Sequence, residues 1–101
     1  HATGSLGCFK KFRNDINLCF YDGHGMLTLV DKQLSIRTKR GQQLSLIPLE
    51  RCTGITTRHL RYNLKNDTLE LGIREGISNE ATSSRVSIAV KKGTLLLYMF
   101  Y

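Results

Sequence analysis

Residues 32–55 read KQLSIRTKRGQQLSLIPLERCTGI. Leu34-Ser35-Ile36-Arg37 alternates apolar and polar residues, and Leu44-Ser45-Leu46-Ile47 does so until Pro48 interrupts it. Successive side chains of a strand point to opposite faces, so each run reads as a strand with one wet face. Lys39-Arg40-Gly41 lies between them and carries turn chemistry. The stretch therefore reads as a β-hairpin whose face carries the cations Lys32, Arg37, Lys39 and Arg40. The ladder of Leu44, Leu46 and Leu49 that follows reads as core.

The same period of two recurs outward. Met26-Leu27-Thr28-Leu29-Val30 alternates in part, while Leu69-Glu70-Leu71-Gly72-Ile73 and Val86-Ser87-Ile88-Ala89-Val90 alternate throughout. Turn signals separate these runs at Asp22-Gly23-His24-Gly25, Asp31-Lys32, Asn66-Asp67, Arg74-Glu75-Gly76 and Lys91-Lys92-Gly93. Helical spacing is weak. Phe9, Phe12, Ile16 and Cys19 fall three and four residues apart, yet residues 17–21 also read as a strand. Residues 79–84 are polar and read as a loop. The expectation is an all-β, single-domain antiparallel barrel or sandwich of about six or seven short strands with little helix. Residues 1–5 are set apart as a cloning remnant or disordered tail, and residues 6–101 form the single β domain. Residues 95–101, LLLYMFY, are apolar on both faces. They read as a strand buried on both sides, or as one whose outer face meets a further segment or a second chain. On that reading the domain is truncated at its C-terminus.

The chain has 101 residues, 41% hydrophobic and 23% charged, the balance of a globular protein. Its formal net charge is +7, from 15 Lys+Arg against 8 Asp+Glu, which favours anionic partners. Cys8, Cys19 and Cys52 show no CxxC spacing and no nearby His at metal-ligand spacing. One disulfide with a spare thiol is open to them, but three reduced thiols packed like small hydrophobes is the leading reading, which points to an intracellular, reducing compartment. No stretch approaches the roughly 20 apolar residues of a membrane-spanning helix.

No catalytic constellation announces itself. His24 lies in a Gly-rich turn, His59 in a basic run and His1 in the remnant. The acids are scattered, each beside a cation or a turn. Asp22-Gly23-His24-Gly25 lacks the Gly-Lys-Ser/Thr and following helix of a phosphate loop. No catalytic residue, metal ligand or cofactor is expected, and the chain reads as a non-enzyme. The cations are more informative. Arg51, Arg58 and Arg61 form a second basic group, Lys91 and Lys92 a third, Lys10, Lys11 and Arg13 a fourth. A nucleic-acid surface interleaves aromatics with cations as stacking platforms, and Tyr62 beside Arg61 is the one strong case.

Gly25-Met26-Leu27 opens a strand as Gly-x-Leu, Lys32, Arg37, Lys39 and Arg40 follow, and Ile47-Pro48-Leu49-Glu50-Arg51-Cys52 leads to Ile55. In residues 25–55 the chain resembles the first half of a pleckstrin-homology or GRAM-type domain. The resemblance implies a seven-stranded, partly open barrel closed by a C-terminal helix, binding phosphoinositide headgroups or proteins. The leading expectation is thus a non-enzymatic binding module. Lys32, Arg37, Lys39 and Arg40 would grip an anionic partner, an acidic membrane surface or an acidic protein. Two alternatives stand beside it. One is a basic barrel holding nucleic acid non-specifically through Arg58, Arg61, Tyr62, Lys91 and Lys92. The other is a structural protein self-associating by strand addition through residues 95–101.

Overall fold

The computed structural model describes residues 6–12, 15–72 and 78–101. Among them are ten strands and no helix: β1 (Leu6–Phe12), β2 (Asp15–Tyr21), β3 (Gly25–Val30), β4 (Gln33–Arg37), β5 (Gln43–Pro48), β6 (Cys52–Arg58), β7 (Asp67–Leu69), β8 (Ser78–Glu80), β9 (Arg85–Ala89) and β10 (Leu95–Phe100). They form a six-stranded sheet, β1-β2-β3-β10-β5-β8, and a four-stranded sheet, β4-β9-β6-β7. Every strand pairing is antiparallel. The all-β expectation holds, and the two sheets close on one core as a sandwich.

The core follows from alternation. Met26, Thr28 and Val30 of β3, Leu44 and Leu46 of β5, and Leu95, Leu97 and Met99 of β10 are buried from the six-stranded side. Ile55 and Thr57 of β6, Leu69 of β7, and Val86 and Ile88 of β9 meet them from the other, with Leu34 and Ile36 of β4 packed alongside. Burying each large aliphatic side chain stabilises the fold by about 1.5–3 kcal/mol, so these alternating positions define the sandwich.

Several expectations change. β4 and β5 are not a hairpin: β4 pairs with β9 in one sheet, and β5 with β10 and β8 in the other. Residues 38–42 therefore carry the chain across the sandwich. Lys91-Lys92-Gly93 does the same between β9 and β10 rather than turning a hairpin. The region with helical spacing is two antiparallel strands, β1 against β2, with Phe9 opposite Leu18 and Cys8 opposite Cys19. Residues 79–84 begin with the end of β8 instead of being all loop. The run from Leu69 ends almost at once, since β7 stops at Leu69 and Leu71 is exposed.

β6 was not read as a strand because its alternation is broken. Cys52 and Ile55 are both fully buried although three residues apart, and the register against β7 shifts between them. Gly54 sits there at φ +66°. One extra residue in a left-handed conformation is a β-bulge, which flips the parity of everything beyond it.

β10 is not an edge. It is hydrogen-bonded to β3 on one side and to β5 on the other. Strand addition needs unpaired N–H and C=O groups, and along Leu95–Met99 both ladders are already taken. Self-association by strand addition through residues 95–101 is thereby excluded. Residues 1–5, set apart as a remnant or tail, and the expected turn at Arg74-Glu75-Gly76 lie outside the described residues.

Candidate functional site

The segment from β8 to Ser84 is stitched on both sides. On one side, β8 pairs with β5, setting Gln43 opposite Glu80 and Leu44 opposite Asn79. The 38–42 crossing continues that seam: Gly41 N–H donates to Ala81 O at 2.7 Å, Ala81 N–H to Gln42 O at 2.9 Å, and the Thr38 hydroxyl to Ser83 O at 2.7 Å. On the other side, Arg61 N–H donates to Glu80 O at 2.8 Å and Thr82 N–H to His59 O at 2.9 Å. The Asn79 amide closes this edge, accepting from Tyr62 N–H at 3.0 Å and donating to Tyr62 O at 2.8 Å. A short polar segment thus ties the two sheets together, its backbone hydrogen-bonded on both flanks.

Beside this seam lies a cleft of about 420 Å³, lined by Lys39, Arg40, Gly41, Gln42, Gln43, Phe100 and Tyr101. That volume falls in the range of small-molecule pockets. Gln42 braces it. Its side-chain carbonyl accepts from Lys39 N–H at 3.0 Å, and its amide donates to Phe100 O at 2.8 Å. The aromatic wall is held from the β2–β3 turn. Asp22 Oδ1 accepts from His24 N–H at 2.8 Å, Gly25 N–H at 2.9 Å and the Tyr98 hydroxyl at 3.1 Å. Tyr98 meets Phe100 edge to face at 4.9 Å, and Tyr101 N–H donates to His24 O at 2.9 Å. The two backbone N–H donors, then the Tyr98 hydroxyl, hold the Asp22 carboxyl below its ordinary range. Desolvation, followed by the Asp22 hydrogen bond, pushes the Tyr98 phenol upward.

The cations expected to act together do not converge. Lys32 lies in the β3–β4 crossing at φ +66°. Arg37 ends β4 opposite Arg85, a second cation. Five residues of strand separate Lys32 from Arg37 by about 17 Å. Lys39 and Arg40 alone reach the cleft, where Arg40 Nε also donates to Thr82 O at 3.3 Å. The second group splits likewise. Arg61 sits 5.3 Å from the centroid of the Tyr62 ring and 3.9 Å from Glu80 Oε1. Arg58 ends β6, whereas the backbone N–H groups of Lys91 and Lys92 donate to Thr53 O at 3.1 and 3.2 Å near the start of that strand. The side chains of the Lys10, Lys11 and Arg13 group lie outside the described residues. Gln42, Gln43, Asn79, Glu80, Phe100 and Tyr101 were missed, because three-residue β8 carries no legible period and the cleft is assembled by register.

Residues 31–95, more than half of the chain, match the sequence model of the thiamin pyrophosphokinase vitamin B1 binding domain. The chain belongs to the thiamin pyrophosphokinase vitamin B1 binding domain family. Solved structures agree with this family. Thiamine pyrophosphokinase from Bacillus subtilis is 25% identical with a TM-score of 0.75, covering 84% of this chain and 41% of its own. Thiamin pyrophosphokinase from Geobacillus thermodenitrificans is 22% identical with a TM-score of 0.70, over 77% of this chain and 38% of its own. A thiamin pyrophosphokinase family protein from Enterococcus faecalis is 14% identical with a TM-score of 0.64, over 84% and 39%. The last two bear on the fold alone. No curated protein matches the chain by sequence. The chain spans 38–41% of the length of these solved chains.

Membership of the vitamin B1 binding domain family corrects four expectations. The pleckstrin-homology and GRAM resemblance is overturned, since both the family match and the solved structures are thiamin pyrophosphokinases. A non-enzymatic binding module with a basic surface for anionic ligands gives way to a domain of an enzyme family, named for a vitamin. Acidic membranes, acidic proteins and nucleic acid as expected partners are overturned by the same match, because the family is named for binding a vitamin. Self-association falls with them, as the pairing of β10 already required.

Proposed function

We propose that this chain binds thiamin and forms the acceptor-holding part of a pyrophosphokinase. The family match over residues 31–95 is the observation that carries the reading. The cleft supports it. Thiamin is two linked heteroaromatic rings, an aminopyrimidine and a permanently cationic thiazolium, with a hydroxyethyl arm that takes the pyrophosphoryl group. Phe100 and Tyr101 offer exposed rings for stacking, at 41% and 73% exposure. Gln42 and Gln43 offer amides at the polar side of the same cleft.

Isothermal titration of the chain with thiamin tests the reading. One-to-one binding is expected, and replacing both Phe100 and Tyr101 by Ala is expected to weaken it at least about tenfold, stacking on an aromatic side chain contributing roughly 1–3 kcal/mol. Absence of binding at millimolar thiamin, or full affinity in the double variant, refutes the assignment to this cleft.

A further inference from the structure

Of the seven described residues lining the cleft, Lys39 and Arg40 carry cationic side chains and none carries an acidic one. A thiazolium ring entering it meets like charge, which opposes binding. An acidic side chain beside the cleft offsets that charge, and the strand register supplies one. Gln43 lines the cleft and lies directly opposite Glu80. Opposed residues of an antiparallel pair share one face, with Cβ atoms about 5 Å apart. On the other flank of β5, Met99 is opposite Leu44, so the next position sets Phe100 beside Gln43. Phe100, Gln43 and Glu80 thus form a row across three neighbouring strands on the outer face of the sheet. Two strand spacings span about 10 Å, the reach of a ligand made of two linked rings.

Glu80 is placed to act there. Its N–H donates to Asn79 Oδ1 at 2.9 Å and its carbonyl accepts from Arg61 N–H at 2.8 Å, while β8 pairs with β5 along the other edge, so the residue is held on both sides. Its side chain is 38% exposed and reaches Arg61 Nη1 at 3.9 Å, the outer limit of an ion pair. A long pair with a partner side chain 61% exposed neutralises the carboxylate only weakly. Arg61 is also drawn to the Tyr62 ring, at 5.3 Å. That long contact leaves Glu80 available to a cation held beside Gln43.

We infer that Glu80 is a specificity-determining residue, the counter-charge that selects a ligand with a cationic ring over a neutral one of the same shape. The inference rests on the thiamin reading above. The test is titration of the wild-type chain, Glu80→Gln and Glu80→Asp with two probes. One is thiamin, and the other is its isostere with a neutral thiophene in place of the thiazolium. Glu80→Gln is expected to weaken thiamin about three- to fivefold, as for loss of one partly screened charge pair. It is expected to leave the isostere within about twofold, and Glu80→Asp to recover part of the loss. Unchanged thiamin affinity in Glu80→Gln overturns the inference and leaves the thiamin reading standing. Equal loss of both probes overturns it too, because that is the signature of a structural role. Failure of the wild-type chain to bind thiamin removes both readings.

Discussion

Thr57 is the buried polar residue on which the loop carrying Arg61 and Tyr62 depends, and replacing it by Val should be costly. Thr57 is 4% exposed on the inner face of β6. Its hydroxyl donates to Asn63 Oδ1 at 3.0 Å and accepts from Leu64 N–H at 2.9 Å. Its own N–H donates to Leu64 O at 2.9 Å, and Asn63 Oδ1 accepts also from Leu60 N–H at 3.1 Å. Val preserves the shape and the branching at Cβ but removes the oxygen. The Leu64 N–H then loses its acceptor in a part-buried site, while Asn63 keeps Leu60. An orphaned buried donor costs about 1–3 kcal/mol, so the loss should be about 2 kcal/mol. In a domain of about this size that lowers Tm by about 8 °C or more. Thr57→Ser keeps the hydroxyl and drops one methyl, and should lose about 1 kcal/mol. Calorimetric melting of the three proteins, with amide exchange at Leu64, reads both effects. Leu64 exchange should accelerate in the Val variant and stay near wild type in the Ser variant. A Val variant melting within about 2 °C of wild type would refute the reasoning, since it would mean the hydroxyl contributes packing alone.

Two further outcomes follow from local geometry. The Asp22 carboxyl has its pKa lowered by the His24 and Gly25 N–H donors; a depressed carboxylate adds stability that is complete above its unfolded pKa of about 3.9 and disappears as pH falls through the lower folded value, so the Tm gap between wild type and Asp22→Asn should be constant near neutrality and close in acid, and a gap that widens in acid would contradict it. Gly93 lies at φ +109°, and a Cβ there would stand 2.6 Å from Arg51 O, 2.7 Å from Cys52 Cα and 2.9 Å from Cys52 Sγ; left-handed strain and contact with unyielding backbone should together cost Gly93→Ala about 2–5 kcal/mol, and urea unfolding that finds under about 1 kcal/mol would show that the β9–β10 crossing relaxes.

By itself the sequence determined the class of fold and the approximate place of most strands. Side chains of period two appear wherever one face of a strand is buried and the other wet, so β3, β4, β5 and β9 were legible from their own residues, and β10 as a short apolar run. The Asp22-Gly23-His24-Gly25 turn was legible too, because its Asp and glycines satisfy local backbone geometry that no distant contact alters. Only the tertiary structure decided which strands pair. A period of two says that a face is buried and is silent about what buries it, so β4 and β5 looked like a hairpin although they lie in different sheets. β6 stayed hidden because the bulge at Gly54 reverses parity midway. The region of β1 and β2 stayed ambiguous because its apolar residues fit both periods, and strand preference depends on the neighbours a strand finds. The site was the least legible part. Gln43, Glu80 and Phe100 are far apart along the chain and become neighbours through two ladders, β5 with β8 and β5 with β10. Net charge pointed at the cations, but charge counted along a sequence carries no direction. Crossing between sheets scattered Lys32, Arg37, Lys91 and Lys92, and left Lys39 and Arg40 at the cleft.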